Sequence, residues 1–176
     1  MNARTTLTAE LSDRTVTLTR DFDAPRELVF RAWTDAQMIA RWWGPHGFTT
    51  EVVACDLRIG GRYHFVMRDG DGNPYPAQGL FIEIDPPARI VMTDDCSCMP
   101  PEWLAEYAAE ETARGESIEN TTFLELADLG DGRTRMTLRM HCINNRLRDG
   151  LVAAGMNEGW GESFEKLDAL LGPSTP

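Results

Sequence analysis

One stretch near the C-terminus sets the terms for the rest of the chain. Met156, Trp160, Phe164, Leu167 and Leu171 fall four, four, three and four residues apart, a spacing that lines one face of an α-helix with apolar side chains. The helix predicted over 147–171 is the longest in the sequence, and its stripe needs a surface to cover it. Strand patterns dominate upstream. Segments 14–22, 48–57, 62–68, 78–85, 89–93, 121–127 and 134–143 are rich in β-branched and aromatic residues. Turn clusters such as Asp69-Gly70-Asp71-Gly72-Asn73 and Gly130-Asp131-Gly132 separate them. Strands joined by tight turns pair antiparallel, and a long helix with only such a sheet to pack on gives an α+β fold. Gly150, Gly155, Gly159 and Gly161 lie in or beside the helix. Each interior glycine costs up to about 1 kcal/mol relative to alanine, so these positions imply close packing or space left open.

Two short helices follow the first strand. Asp23-Ala24-Pro25 stops the strand, and Leu28, Val29, Ala32 and Trp33 recur at helical spacing over 26–33. Thr34-Asp35 caps a second helix over 36–43, which Gly44-Pro45 ends. Trp42 and Trp43 stand at that reversal. Adjacent helical side chains point about 100° apart, so one ring is expected inward and the other near a rim.

Four blocks, DFDAPRELVFRAWTDAQMIARWWGPHGF, DLRIGGRY, GLFIEIDPPARIVMT and GWGESFEKL, occur in this order. Together they resemble the START-like, or SRPBCC, superfamily over roughly 16–171. More narrowly they resemble its branch of homologues of the activator of heat-shock-protein ATPase. The resemblance implies a helix-grip fold, in which a curved antiparallel sheet wraps around the long C-terminal helix and an internal cavity lies between them. It also implies binding of a small hydrophobic or amphipathic ligand. Some members are cyclases or hydrolases, and the branch takes its name from a co-chaperone domain, so an enzyme and a heat-shock chaperone partner are alternative implications. One domain is expected over 1–176, with its core over about 14–171.

The chain departs from the pattern at an inserted segment over about 94–120. Pro100-Pro101 opens a helix predicted over 102–114 with Trp103, Leu104, Tyr107 and Ala108 on one side. Eight acidic residues stand against Arg114 alone between Asp94 and Glu119, so −7 of the net −11 sits there. A lid over the cavity mouth and a solvated excursion packed on the sheet edge both fit. A Trp103/Tyr107 face also leaves a homodimer open.

Strand parity nominates the cavity wall. Tyr63, Phe65 and Met67 share one face of a strand; Phe81, Leu124, Met136, Leu138 and Met140 do so on others. Met156, Trp160 and Phe164 meet them from the helix, with Trp42, Trp43 and Phe48 at the predicted mouth. Thioether and aromatic side chains suit an adaptable apolar pocket. Two candidates exist for acid–base chemistry, and no residue is assigned as catalytic. Glu83 enters the cavity if Ile82 and Ile84 face outward, and is solvated otherwise. His46 stands beside the mouth, and imidazole is the side chain suited to proton exchange near neutral pH.

Other classes are disfavoured. A net charge of −11 opposes nucleic acid and anionic membrane surfaces. No apolar run approaches the roughly 20 residues of a membrane-spanning helix, and no hydrophobic signal core opens the sequence, so a cytoplasmic address is expected. Cys96 and Cys98 with His141 and Cys142 spell a zinc set, but a lone C-x-C lacks a second close pair, and no metal is expected. Without a phosphate-cradling glycine loop or a G-x-S-x-G elbow, no cofactor is expected either.

Overall fold

Eight strands form one antiparallel sheet that curls around a terminal helix. A computed structural model describes residues 6–172; the ends of the domain expected over 1–176 lie outside them. The strands are β1 (Thr8–Ser12), β2 (Thr15–Phe22), β3 (Thr49–Cys55), β4 (Arg62–Arg68), β5 (Pro74–Asp85), β6 (Arg89–Asp95), β7 (Glu119–Gly130) and β8 (Arg133–His141). Their spatial order is β1-β2-β8-β7-β6-β5-β4-β3. A six-strand meander thus closes onto β2, which leads into helices α1 (Arg26–Thr34) and α2 (Ala36–Trp42). The α+β helix-grip architecture expected above is the one observed.

The curl has local causes. β5 pairs with β4 through its first half and with β6 through its second. At Gly79 a Cβ would lie 2.1 Å from the Thr93 carbonyl oxygen, so a bare backbone is required where the strand changes partners. A bulge between Phe81 and Glu83 then bends it further.

The predicted C-terminal helix is two helices. α5 (Asn145–Ala153) and α6 (Met156–Leu171) break at Ala154-Gly155, where Gly155 takes φ 87°, a conformation that penalises any Cβ. Asn144 caps α5 through Leu147 N at 2.7 Å. Phe164 and Leu167 of α6 are fully buried, and Asp168 pairs with the nearly buried Arg20 of β2, tying the helix across the sheet.

The inserted segment is likewise broken, into α3 (Pro101–Tyr107) and α4 (Ala109–Arg114). At the junction Ala108 is fully buried in a small second core with Cys96 and Ile118, against which Trp103, Leu104 and Ile143 pack. The Tyr107 ring lies so close over Gly150 of α5 that a Cβ there would be 2.2 Å from Cε1. Asn144 donates to the Tyr107 carbonyl oxygen at 3.0 Å. The Trp103/Tyr107 face offered above for a homodimer is therefore engaged within the chain.

Candidate functional site

The inner face of the sheet is laid out in rows set by strand register. Leu18, Leu138, Leu124 and Ile90 stand side by side across β2, β8, β7 and β6, and all four are fully buried. One row along, Val16, Met140, Thr122 and Met92 are neighbours. Beyond Thr122 and Met92 lie Asn120 and Asp94, partners in the same ladder. The face thus grades from sealed aliphatic core through a thioether row to polar groups.

Over the second and third rows the sheet and α6 separate, leaving a cavity of about 260 Å³ that is partly open to solvent. Its floor comprises Met92, Asp94, Thr122 and Met140, with Tyr63, Met67 and Ala77 from β4 and β5. Trp33 of α1 and the Trp43-Gly44-Pro45 turn form one wall. Leu151 of α5 and Met156, Gly159, Trp160 and Ser163 of α6 close the other side.

The tandem tryptophans are both buried, Trp42 at 0% and Trp43 at 9% exposure. Neither sits on an exposed rim, because α1 and α6 supply rings on both sides. Trp42 donates its indole N–H to the Ala32 carbonyl oxygen at 2.8 Å and lies 4.9 Å from the Trp33 ring. Trp43 contacts Phe65 at 5.1 Å and Trp160 edge-on at 5.2 Å, while Trp160 stacks on Trp33 at 6.0 Å. Edge-to-face and offset pairs of this kind add about 0.5–1.5 kcal/mol beyond area burial, so the wall is stiff. The Trp33 indole N–H is buried without a hydrogen-bond partner among the described residues.

α6 also fixes the turn. Lys166 Nζ donates to the Gly44 carbonyl oxygen at 3.0 Å and the His46 backbone N–H donates to Glu162 at 2.9 Å. Burial lowers the Lys166 pKa from its ordinary value. The His46 ring lies 3.6 Å from Glu165, exposed and outside the cavity lining.

Six nominated residues line the cavity: Trp43, Tyr63, Met67, Met140, Met156 and Trp160. Trp42, Phe65, Phe81, Leu124, Met136, Leu138 and Phe164 face inward but are packed into the solid core. Phe48 pairs with Tyr75 at 5.5 Å, away from the lining. Glu83 points outward. The bulge after Phe81 shifts the parity of the strand by one, so Ile84 takes the inward position opposite the buried Ile90. Glu83 then meets Arg89 at 3.0 Å on the outer face, where Arg89 also pairs with Glu125.

The carboxylate inside the cavity is Asp94, which sequence reading left in the insertion. Its position was legible: Ile90, Met92 and Asp94 alternate along one strand, so the apolar inward pair predicts the third. Asp94 Oδ2 accepts from Asn120 Nδ2 at 3.3 Å and from the Cys96 thiol at 3.8 Å, and no ion pair reaches it among the described residues. Burial pushes its carboxyl above the ordinary carboxylate range; the Asn120 and Cys96 bonds pull the other way, and neighbouring Asp95 raises it again. Tyr63, whose hydroxyl donates to the Thr93 carbonyl oxygen at 2.7 Å, is raised by burial and then by Asp94, so it stays protonated.

The thiols stay protonated too. Burial pushes Cys96 well above its usual value and Cys142 up to about 11, which withholds the reactive thiolate. His141 bonds Thr15 Oγ1 at 3.0 Å, and among the described residues no three His, Cys, Asp or Glu side chains are placed to hold a metal ion. Ser163, on the cavity wall, donates back to the Gly159 carbonyl oxygen at 2.8 Å and has no base beside it.

From residue 95 through 120, no side chain lines the cavity. The insertion packs on α5 instead.

Comparison with known proteins agrees with this architecture. A solution structure of a protein from Arthrobacter aurescens superposes with TM-score 0.77 at 22% identity, covering 93% of this chain and 90% of that one. Crystal structures of Ms6760 from Mycobacterium smegmatis (TM-score 0.76, 23% identity, 98% and 99% covered) and CV1439 from Chromobacterium violaceum (0.71, 26%, 91% and 99%) share the fold. No curated protein matches the sequence. Residues 23–172, which span the cavity and both helices over it, match the family described as Activator of Hsp90 ATPase homolog 1-like protein, and the chain belongs to that family.

Proposed function

We propose that the protein binds a small hydrophobic or amphipathic molecule in the cavity beneath α6. The observation that carries this reading is the 260 Å³ space itself, walled by three indoles and four thioethers where the adjoining leucine row is solid. A cavity of roughly 150 Å³ lined by apolar side chains is enough to hold benzene, so the space here suits one or two rings. Apolar burial contributes about 25 cal/mol per Å² before ordering costs, and methionine walls adapt to shape. Native mass spectrometry of freshly purified protein should show an adduct that mild activation removes. A bare mass, with no thermal shift across a panel of aromatic and lipid-like compounds, refutes the reading.

Catalysis in the same cavity would have to run through Asp94 rather than Glu83 or His46, since it is the carboxyl on the wall. A chaperone partner is the second reading, favoured by the charge of the insertion: outside the cavity, seven acidic residues from Asp95 to Glu119 stand against Arg114, a balance of −6. Charge reversal at Glu102, Glu106 and Glu110 should then abolish co-purification with a heat-shock chaperone at physiological salt.

A further inference from the structure

Among the described residues, the cavity lining carries one carboxyl, Asp94, and no cation. Asp94 sits at the end of the polar row, with Asn120 and Cys96 as hydrogen-bond donors. The titratable groups near it are Asp95 on its own strand, Cys96 and Cys98 past the strand's end, Tyr63 on β4 and Cys142 beyond β8. None is a cation. Arg62 acts on Asp95 instead, and Lys166 is committed to the Gly44 carbonyl on the far side of the turn.

A partly buried carboxylate with hydrogen-bond donors but no ion pair is costly until a positive partner arrives. Indole faces also carry negative quadrupole charge and attract a cation within about 6 Å, and Trp33, Trp43 and Trp160 are all on the wall. The net charge of −11 repels anions and concentrates cations near the mouth. Size, apolarity and sign together select a ligand class.

We infer that the ligand is a one- or two-ring apolar compound bearing a protonated amine, whose ammonium pairs with Asp94 while its rings lie against the tryptophan wall. This deepens the cavity-binding reading and rests on it. The pair forms a charge-assisted N–H···O bond and satisfies a carboxylate that has no cationic partner among the described residues. Below the raised pKa of Asp94, amine binding must displace a proton, so affinity rises with pH until the amine itself deprotonates.

Three matched probes separate the outcomes by calorimetry: 2-phenylethylamine, 2-phenylethanol and 3-phenylpropionate. The amine should bind about tenfold or more tighter than the alcohol, with the acid weakest. Asp94→Asn, nearly isosteric, should narrow the amine–alcohol gap to within about twofold. If that variant does not fold, the wild-type pH dependence decides: amine affinity should climb from acid to neutral pH while alcohol affinity stays flat. Equal binding of amine and alcohol, or tighter binding of the acid, overturns the amine inference and leaves the cavity reading intact. Failure of all three at millimolar concentration sinks both.

Discussion

The two halves of α6 meet the same sheet with opposite results. At its C-terminal half Phe164 and Leu167 have no exposed surface, and Phe22 meets Phe164 edge-on at 6.2 Å. At its N-terminal half Met156, Gly159 and Trp160 bound the cavity. What differs is the side chains: Gly159 brings no volume, and a Cβ there would touch only Pro45, at 3.4 Å. The hollow is made by omission on the helix and by thioethers, rather than branched aliphatics, in the row below.

The largest expected effect tests that contrast directly. Phe164→Ala removes a ring from the solid half and should cost about 3–5 kcal/mol in chemical denaturation. Met156→Ala removes a partly exposed side chain beside existing space and should cost well under the roughly 2 kcal/mol floor for buried Met→Ala changes. Similar losses at the two sites would mean that the cavity is packed in solution.

Two glycines in the hollow half sharpen the comparison with smaller shifts of opposite sign. Gly155 lies at φ 87°, so Gly155→Ala forces a left-handed alanine and should destabilise by about 1–2 kcal/mol. Gly159 is inside α6 with room for a methyl group, so Gly159→Ala should stabilise by up to about 1 kcal/mol. Thermal melts of the two single variants settle the signs. A destabilised Gly159→Ala would show that the helix seats closer to Pro45 than described here.

How much of this was readable from the sequence depends on which physical signal carried it. Alternation placed the paired strands, and Asp35, whose carboxylate accepts from Gln37 N and Met38 N, marked the start of α2. The edge strand β1 gave no signal, because all five of its residues are exposed and no buried face imposes a period. β5 begins before its predicted start at 78: Pro74 and Pro76 lie in a half of the strand that pairs with β4 alone, an edge where proline is tolerated. The breaks at Ala108 and Gly155 were hidden because apolar spacing runs through them. Within the site, parity set Tyr63, Met67 and Met140 on the inward face, where they line the cavity, but left Glu83 open between cavity and solvent, since a one-residue bulge leaves no mark in composition and inverts every later side chain. Which inward residues border a cavity and which are sealed in was not legible at all. Leu138 and Met140 are two residues apart on one face, and only what α6 sets against each of them distinguishes core from wall.

The smallest expected effect is a slope, and it contrasts a carboxyl in the hollow half with one on the outer face. Asp94 is held above its ordinary value of 3.8 chiefly by burial, so the folded protein binds its proton more tightly than the unfolded chain does. Its contribution to stability is therefore complete below that ordinary value and is lost as pH rises through the folded pKa. Asp21 on β2 is the reverse case. Arg135 donates to it at 2.7 and 2.9 Å and holds it below 3.8. Its contribution is present above that value and is lost as pH falls through the lowered one. Melts of Asp94→Asn and Asp21→Asn between about pH 3 and pH 8 should thus depart from the wild type in opposite directions. The first variant should lose the decline on the alkaline side of the carboxylate range, and the second the decline on the acid side. Asp21 is partly solvated and its arginine half-exposed, so solvent screening leaves its effect the weaker of the two. A wild-type profile that Asp94→Asn does not flatten would place that carboxyl in contact with water or with a cation of the chain, and the asymmetry between the two halves would lose its electrostatic part while keeping its packing part.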